Sequence, residues 1–192
     1  MARPFEFDRE ETLSRAMDVF WEKGYKATSI QDLVDHMGIN RGSIYNTFGD
    51  KHSLFIAAVE HYGEVVTTEM IKVLESPGSP LGNLNEFFNK LVNSPKQRRM
   101  KGCLISNTVV ELAPHDQEVA KIVKSIMARI QQAFYNCLKR AEELGELPKN
   151  TDVAVLSHFL ATSTHGLIVT GKSNSNSKLL KKVINVILSV VE

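Results

Sequence analysis

Residues 116–144 contain neither glycine nor proline. Val119, Ile122, Val123, Ile126, Ile130, Ala133, Phe134, Cys137, Leu138 and Ala141 recur at spacings of three and four, the period of one face of an α-helix. Gly145 and Pro148 end the run. A helix this long with one apolar stripe cannot bury that stripe alone, so it demands partner helices. The rest of the chain supplies them. Helical patterning covers residues 8–23, a stretch from Thr28 to Gly38, a short segment after Asn40, and a long one from Asp50 toward Leu74. It resumes over 84–93, 102–113, 151–170 and 177–191, and the clearest break is SPGSPLGN at 76–83. No stretch alternates as a strand would, so the chain reads as all-α. With 192 residues and 43% apolar content a packed core is affordable and disorder is not expected.

No apolar run approaches ~18 residues, so no membrane-spanning helix and no membrane partner are expected. The N-terminal MARPFEFDREE lacks the apolar core of a signal peptide. Two cysteines, Cys103 and Cys137, do not make a disulfide framework. The expectation is a cytoplasmic protein with reduced thiols, although a bridge between the two remains open. Net charge is +1, and residues 1–60 carry seven Lys/Arg against ten Asp/Glu, a net of −3. Any site for a polyanion there must be local, built from a few cations, hydroxyls and main-chain N–H groups.

Such a site is written into residues 28–51. Leu13, Ala16, Met17, Phe20 and Trp21 face one side of a first helix, and Gly24 ends it. TSIQ at 28–31 fits a capping box for a second helix, with Ile30, Leu33, Val34 and Met37 facing inward and Gly38 stopping it. Asn40 is placed to cap a third, short helix, in which Ile44 and Phe48 share a face. Helix, glycine turn and short helix form a helix-turn-helix. Gly42, Ser43, Tyr45 and Asn46 then point away from the anchor. A glycine there admits a DNA backbone or a thymine methyl, while Ser43 and Asn46 offer hydrogen bonds to base edges and Tyr45 a hydroxyl to phosphate. Lys51 adds a cation where helix N–H groups already favour anions, and Thr28 occupies the same position on the second helix. Ser29, Asn40 and Arg41 complete the candidate DNA-contacting set.

ATSIQDLVDHMGINRGSIYNTFGDKHSLF resembles the DNA-binding segment of TetR-family transcriptional regulators. Thr28, Ile30, Leu33, Gly38, Ile39, Asn40, Gly42, Ile44, Tyr45, Phe48, Lys51 and Leu54 stand at the positions of that pattern; Asn40 replaces the commoner Ser, and Thr47 the commoner His. The resemblance implies a three-helix DNA-binding domain at 1–50. A linking helix at about 51–75 would join it to a helical ligand-binding and dimerisation body, the two making up 51–192. It also implies a homodimer, a double-stranded and palindromic operator, an unknown small-molecule effector, and no enzymatic activity.

KGCLISNTVVELAPHD at 101–116 is similar to a stretch of the NemR-like branch of that family, where the cysteine at the place of Cys103 senses electrophiles. Arg98, Arg99, Lys101 and a helix N-terminus would favour a thiolate at Cys103; the competing reading is a small buried packing residue. Cys137, mid-way along an apolar face, reads as core filler. No cofactor and no metal site are expected: His158 and His165 share a face but have no Cys or carboxylate beside them at ligand spacing. Phe87, Phe88, Met127, Phe134, Phe159 and His165 are candidates for lining an apolar ligand pocket. Small residues at 161–164 and 166, Thr162 and Gly166 among them, allow close helix approach. With Leu180, Ile184, Ile187 and Val191 they suggest a dimer face. Two other readings compete. A cysteine enzyme using Cys103 and His115 lacks any nucleophile motif, and a helix of about ten residues, roughly 15 Å long, separates the two. A helical adaptor without DNA binding conflicts with the intact third helix.

Overall fold

The computed structural model describes residues 8–173 and 176–191. The start of the N-terminal stretch, residues 1–7, lies outside them. Among the described residues every regular element is helical. In order these are α1 (Arg9–Lys23), α2 (Ile30–Met37), α3 (Arg41–Phe48), α4 (Lys51–Tyr62), a π-helical turn (Gly63–Thr67) and α5 (Thr68–Leu74). There follow α6 (Pro80–Asn93), α7 (Lys96–Lys101), α8 (Leu104–Glu111), a 3-10 turn (Ala113–His115), α9 (Gln117–Glu143), α10 (Val153–Ser173) and α11 (Ser177–Leu188). The all-α reading holds.

Local signals set most boundaries. Asp8 accepts the N–H groups of Glu10 and Glu11 and starts α1, and Gly24 (φ 80°) ends it. Gly38 closes α2 in the left-handed region, a conformation only glycine adopts cheaply. Asp50 starts α4 by accepting the Ser53 N–H at 2.7 Å.

Three expectations need correction. The cap of α2 is Ser29 with Asp32, not Thr28 with Gln31: Ser29 Oγ accepts the Asp32 N–H, and the Asp32 carboxylate accepts the Ser29 N–H at 2.8 Å. Lys23 pairs with the same carboxylate at 2.6 Å; this contact, followed by the Ser29 hydrogen bonds, holds the acid well below the usual carboxylate range. Helix runs without a gap from Lys51 to Leu74, with the π turn Gly63–Thr67 lying between α4 and α5. The break at 76–83 is shorter than read, because Pro80 opens α6 at its first helical position, where its missing N–H costs nothing. Asn83 and Arg140 secure the preceding turn: Asn83 Nδ2 donates to Ser76 O at 2.6 Å and Arg140 Nη2 to the same oxygen at 3.1 Å. Finally, α10 is long and apolar enough to span a membrane by length and composition. Single Ser, Thr and His residues conceal this in a search for uninterrupted apolar runs. Leu156, Ser157, Leu160, Thr164 and Leu167 bury one side of it, the arrangement of a core helix.

The chain forms two compact units. The first holds the described residues up to Val65 together with Leu104–Lys124; the second holds Val66–Cys103 and the residues from Ser125 onward. The first therefore extends past the expected boundary at residue 50 and takes in a segment distant in sequence. Its core joins Phe20 to Phe55 edge-on at 5.0 Å and Trp21 to Tyr62 at 5.0 Å. The second is built around Phe87, Phe88 and Phe134 with Leu84, Leu138 and Leu160.

Candidate DNA-binding site and regulatory elements

The Asn40 side chain accepts the Ser43 N–H at 2.8 Å and starts α3. Ile44 and Phe48 are buried and fix the helix to the unit, while Arg41, Gly42, Tyr45 and Asn46 are exposed and Ser43 is half-buried. A Cβ on Gly42 would lie 3.2 Å from Asn40 Oδ1. Glycine at this place thus keeps the cap uncrowded as well as leaving the outer face open. The Arg41 guanidinium lies 5.7 Å over the Tyr45 ring and donates to its hydroxyl at 3.4 Å, so the two form one exposed polar group.

Lys51, the first residue of α4, is half-buried, with Nζ 4.4 Å from the centre of the Tyr25 ring. Ser29 is exposed at the start of α2. Thr28 is not on the surface: it is 1% exposed, and its hydroxyl donates to Gly24 O at 2.6 Å. It braces the α1–α2 turn, and its hydroxyl faces inward and is not available to DNA. The structure therefore gathers Asn40, Arg41, Gly42, Ser43, Tyr45 and Asn46 on one short helix and its cap, with Ser29 and Lys51 at the starts of the flanking helices.

Sequence patterns did not show that this unit is held from residues 104–124. Glu111 accepts two N–H groups from the α1–α2 turn, and His52 Nε2 pairs with Asp116 Oδ2 at 2.6 Å. The Asp116 carboxyl is held below its ordinary value of 3.8, first by the Val119 N–H and then by His52. Burial raises the Tyr25 hydroxyl, with Asp50 and Asp116 adding to the effect. No local spacing signals such partners, because 86 residues separate Glu111 from Tyr25.

In the second unit the expected pocket residues differ in burial. Phe87 and Phe134 meet edge-on at 5.0 Å and are fully buried core. Met127 and His165 are half-buried, and burial lowers the His165 pKa. Phe159 is 42% exposed on the outer side of α10. The expected dimer face also changes. Leu180, Ile184, Ile187 and Val191 belong to the core of their own chain. The other side of α11 carries exposed Leu179, Val183 and Val186, with exposed Val190 just past its end, and α10 carries exposed Val155, Phe159, Thr162, Gly166 and Val169. Thr162 and Gly166 therefore keep their outward position, while the four apolar residues assigned to α11 face inward. The sequence shows both stripes; only packing shows which one is covered.

Both cysteines are free. Cys137 is buried, its thiol donates to Pro80 O at 3.4 Å, and burial pushes its pKa up to about 11, as befits core filler. Cys103 is 8% exposed and sits between Gly102 and the start of α8. Among the described residues no cluster of His, Cys, Asp and Glu is set to hold a metal.

Comparison with known proteins agrees with this geometry. The profile of the bacterial regulatory proteins of the tetR family matches residues 13–58, and that of the tetracyclin repressor-like C-terminal domain matches residues 80–187. The HTH-type transcriptional regulator YezE of Bacillus subtilis is 38% identical over 100% of both chains. The HTH-type transcriptional repressor ComR of Escherichia coli is 27% identical over 94% of this chain and 87% of its own. Among solved structures, cysteine variants of the TetR-family regulator CifR in complex with 26-base-pair operator DNA superpose with a TM-score of 0.85, one of them at 28% identity over 100% of both chains. Reduced NemR of E. coli superposes with a TM-score of 0.84 at 14% identity over 96% of this chain and 97% of its own, a likeness of fold alone. These relatives are transcriptional regulators, not enzymes. The chain belongs to the TetR family of DNA-binding transcriptional regulators.

Proposed function

We propose that the protein is a homodimeric repressor that reads a palindromic operator with α3 and leaves it when an effector acts on the helical body. The observation that carries this reading is the exposed face of α3: a glycine flanked by hydroxyl, amide and guanidinium groups, with two buried apolar anchors behind it. One eight-residue helix covers too little DNA to be specific, so two half-sites are needed. The outer stripes of α10 and α11 support dimerisation. Val155, Phe159, Thr162, Gly166 and Val169, and Leu179, Val183, Val186 and Val190, step by four and three residues, the spacing of a helix-packing seam. They leave apolar surface in water that a second copy would cover. ComR is named as a repressor and CifR is seen with operator DNA, which favours repression by operator binding here too. Gel shift of a duplex carrying the region upstream of its own gene, with light scattering on the same protein, tests both halves. A specific shift by a two-chain species is expected; a shift by single chains, or none, rejects the reading.

The release signal has two forms. A non-covalent effector would occupy the apolar body. Alternatively Cys103 is modified, and one observation favours it: this residue immediately precedes α8, whose far end holds the α1–α2 turn through Glu111. The Cys103 thiolate would add to the carbon–carbon double bond of an electrophile, forming a C–S bond while the neighbouring carbon takes a proton from water. At 8% exposure the turn must open first, so reaction should be slower than for a surface thiol. N-ethylmaleimide should then abolish the gel shift of the wild type and spare Cys103→Ser. Equal loss in both, or in neither, leaves Cys103 as packing and points to the non-covalent effector.

A further inference from the structure

Glu111 ends α8, 86 residues from Tyr25 in sequence. Its carboxylate grips the α1–α2 turn with both oxygens: Oε2 accepts the Tyr25 N–H at 3.0 Å and Oε1 accepts the Lys26 N–H at 2.8 Å. The fit depends on the neighbouring glycine. Gly24 has a φ of 80°, which residues bearing a side chain rarely adopt, and a Cβ built on it would stand 2.7 Å from Glu111 Oε2, so the carboxylate would have to shift. A glutamine would offer one acceptor oxygen in place of two, and charge-assisted bonds of this kind are about twice as strong as neutral ones.

What the grip holds is the support of a DNA-contacting group. The Tyr25 ring packs on Phe55 at 4.9 Å, and Lys51 Nζ rests 4.4 Å from its centre. His52, next to Lys51, meets the edge of the same ring at 6.3 Å and is tied to Asp116. The main chain of Tyr25 is thus fixed by Glu111, while its ring supports the cation at the start of α4.

We infer that Glu111 is a positioning residue for operator binding: by clamping the main chain of Tyr25 and Lys26 it sets the ring on which Lys51 lies and so directs that ammonium group toward a DNA phosphate. This rests on the assignment of the α3 face and Lys51 to DNA. It also makes residues 104–116 the place where a change in α8 reaches the operator contacts.

Operator affinity against salt concentration, measured for the full-length wild type, Glu111→Gln, Lys51→Ala and the double variant, tests the inference. Glutamine keeps the size and loses the charge and one acceptor. Glu111→Gln should weaken operator binding about tenfold and flatten the logarithmic salt dependence by about one, the loss of one phosphate contact. In the Lys51→Ala background the same substitution should change affinity less than about twofold, because its target is gone. Oligomeric state and thermal unfolding, followed in parallel, identify a variant that has merely lost its fold, in which case Glu111→Asp replaces it. Full effects of both substitutions in the double variant, or a Glu111→Gln protein with unchanged affinity or salt slope, would overturn the positioning role. A wild type that does not bind the operator, or a Lys51→Ala protein with an unchanged salt slope, instead refutes the underlying DNA assignment.

Discussion

The third helix α3 and the last helix α11 are both short and both carry residues facing out, yet they differ in what decides their orientation. In α3 only Ile44 and Phe48 are buried, and every other side is polar or glycine. One apolar pair can face the core in just one way. In α11 Leu180, Ile184, Ile187 and Leu188 are buried while Leu179, Val183 and Val186 are exposed. Two apolar stripes compete for the core there, and helix periodicity cannot choose between them. A helix with one stripe announces its surface; a helix with two conceals it until the neighbours are in place.

The largest effect should come from putting a charge on each side of α11. Ile187→Glu buries an unpaired carboxylate and should cost about 4 kcal/mol or more, seen as loss of cooperative thermal unfolding. Val186→Glu, at 69% exposure, should leave the helical circular dichroism spectrum intact but shift light scattering to a single chain. A dimeric Val186→Glu protein would show that the outer stripe is not the interface.

Next in size is the core against the outer surface of α10. Phe134→Ala empties a fully buried site and should lose about 3–5 kcal/mol in denaturant titration, whereas Phe159→Ala should change chain stability by less than about 1 kcal/mol and weaken dimerisation. Similar losses of chain stability in both would mean that Phe159 belongs to the core after all.

On α3 the effects should separate binding from stability. Asn40→Ala removes a helix cap and should cost about 1 kcal/mol with little change in base preference. Substituting Ser43 or Asn46 should leave unfolding unchanged and alter the preferred half-site in a binding selection. Tyr45→Phe should weaken all sequences alike, because a phosphate contact carries no base information. An unchanged half-site preference for both Ser43 and Asn46 variants would break the assigned register.

The smallest effects are titrations. The native Asp116 carboxyl lies below its ordinary value of 3.8, so the ionised form is the native one. Its contribution is complete above that value and is lost as pH falls through the lower native value. Asp116→Asn should flatten the acid limb of the stability curve. The Cys137 thiol behaves oppositely: raised from 9.0 to about 11, it stays protonated in the fold while an unfolded chain ionises. Stability should therefore decline as pH rises above 9, and Cys137→Ala should reduce that decline. A Cys137→Ala protein with an unchanged alkaline limb would assign the decline to other groups.

Much of the first unit was legible in the sequence because its signals are local. Asp50 and Asn40 cap the helices they precede, and Gly24 and Gly38 end the ones they follow. The exception is instructive. Thr28 and Ser29 are both cap-forming residues, each with a suitable partner three positions on. The choice fell to Ser29 because its Asp32 partner also reaches Lys23 while Thr28 turns its hydroxyl to Gly24 O. In the second unit Phe87 and Phe134 are large, apolar and buried, but the sequence does not separate core from pocket lining, since a packed core and a cavity use the same residues at the same spacing.

By itself the sequence determined the helical class, the placement of α3 and its outward residues, and the family. These follow from periodicity, caps and glycines, whose physics acts over four or five residues. Tertiary structure alone decided that residues 104–124 join the N-terminal helices, that Glu111 holds the turn before α2, that α11 turns Ile187 inward and Val186 outward, and that Thr28 and Cys103 are covered. Each of those depends on which surfaces meet across many tens of residues, and burial is a property of the meeting, not of the residue.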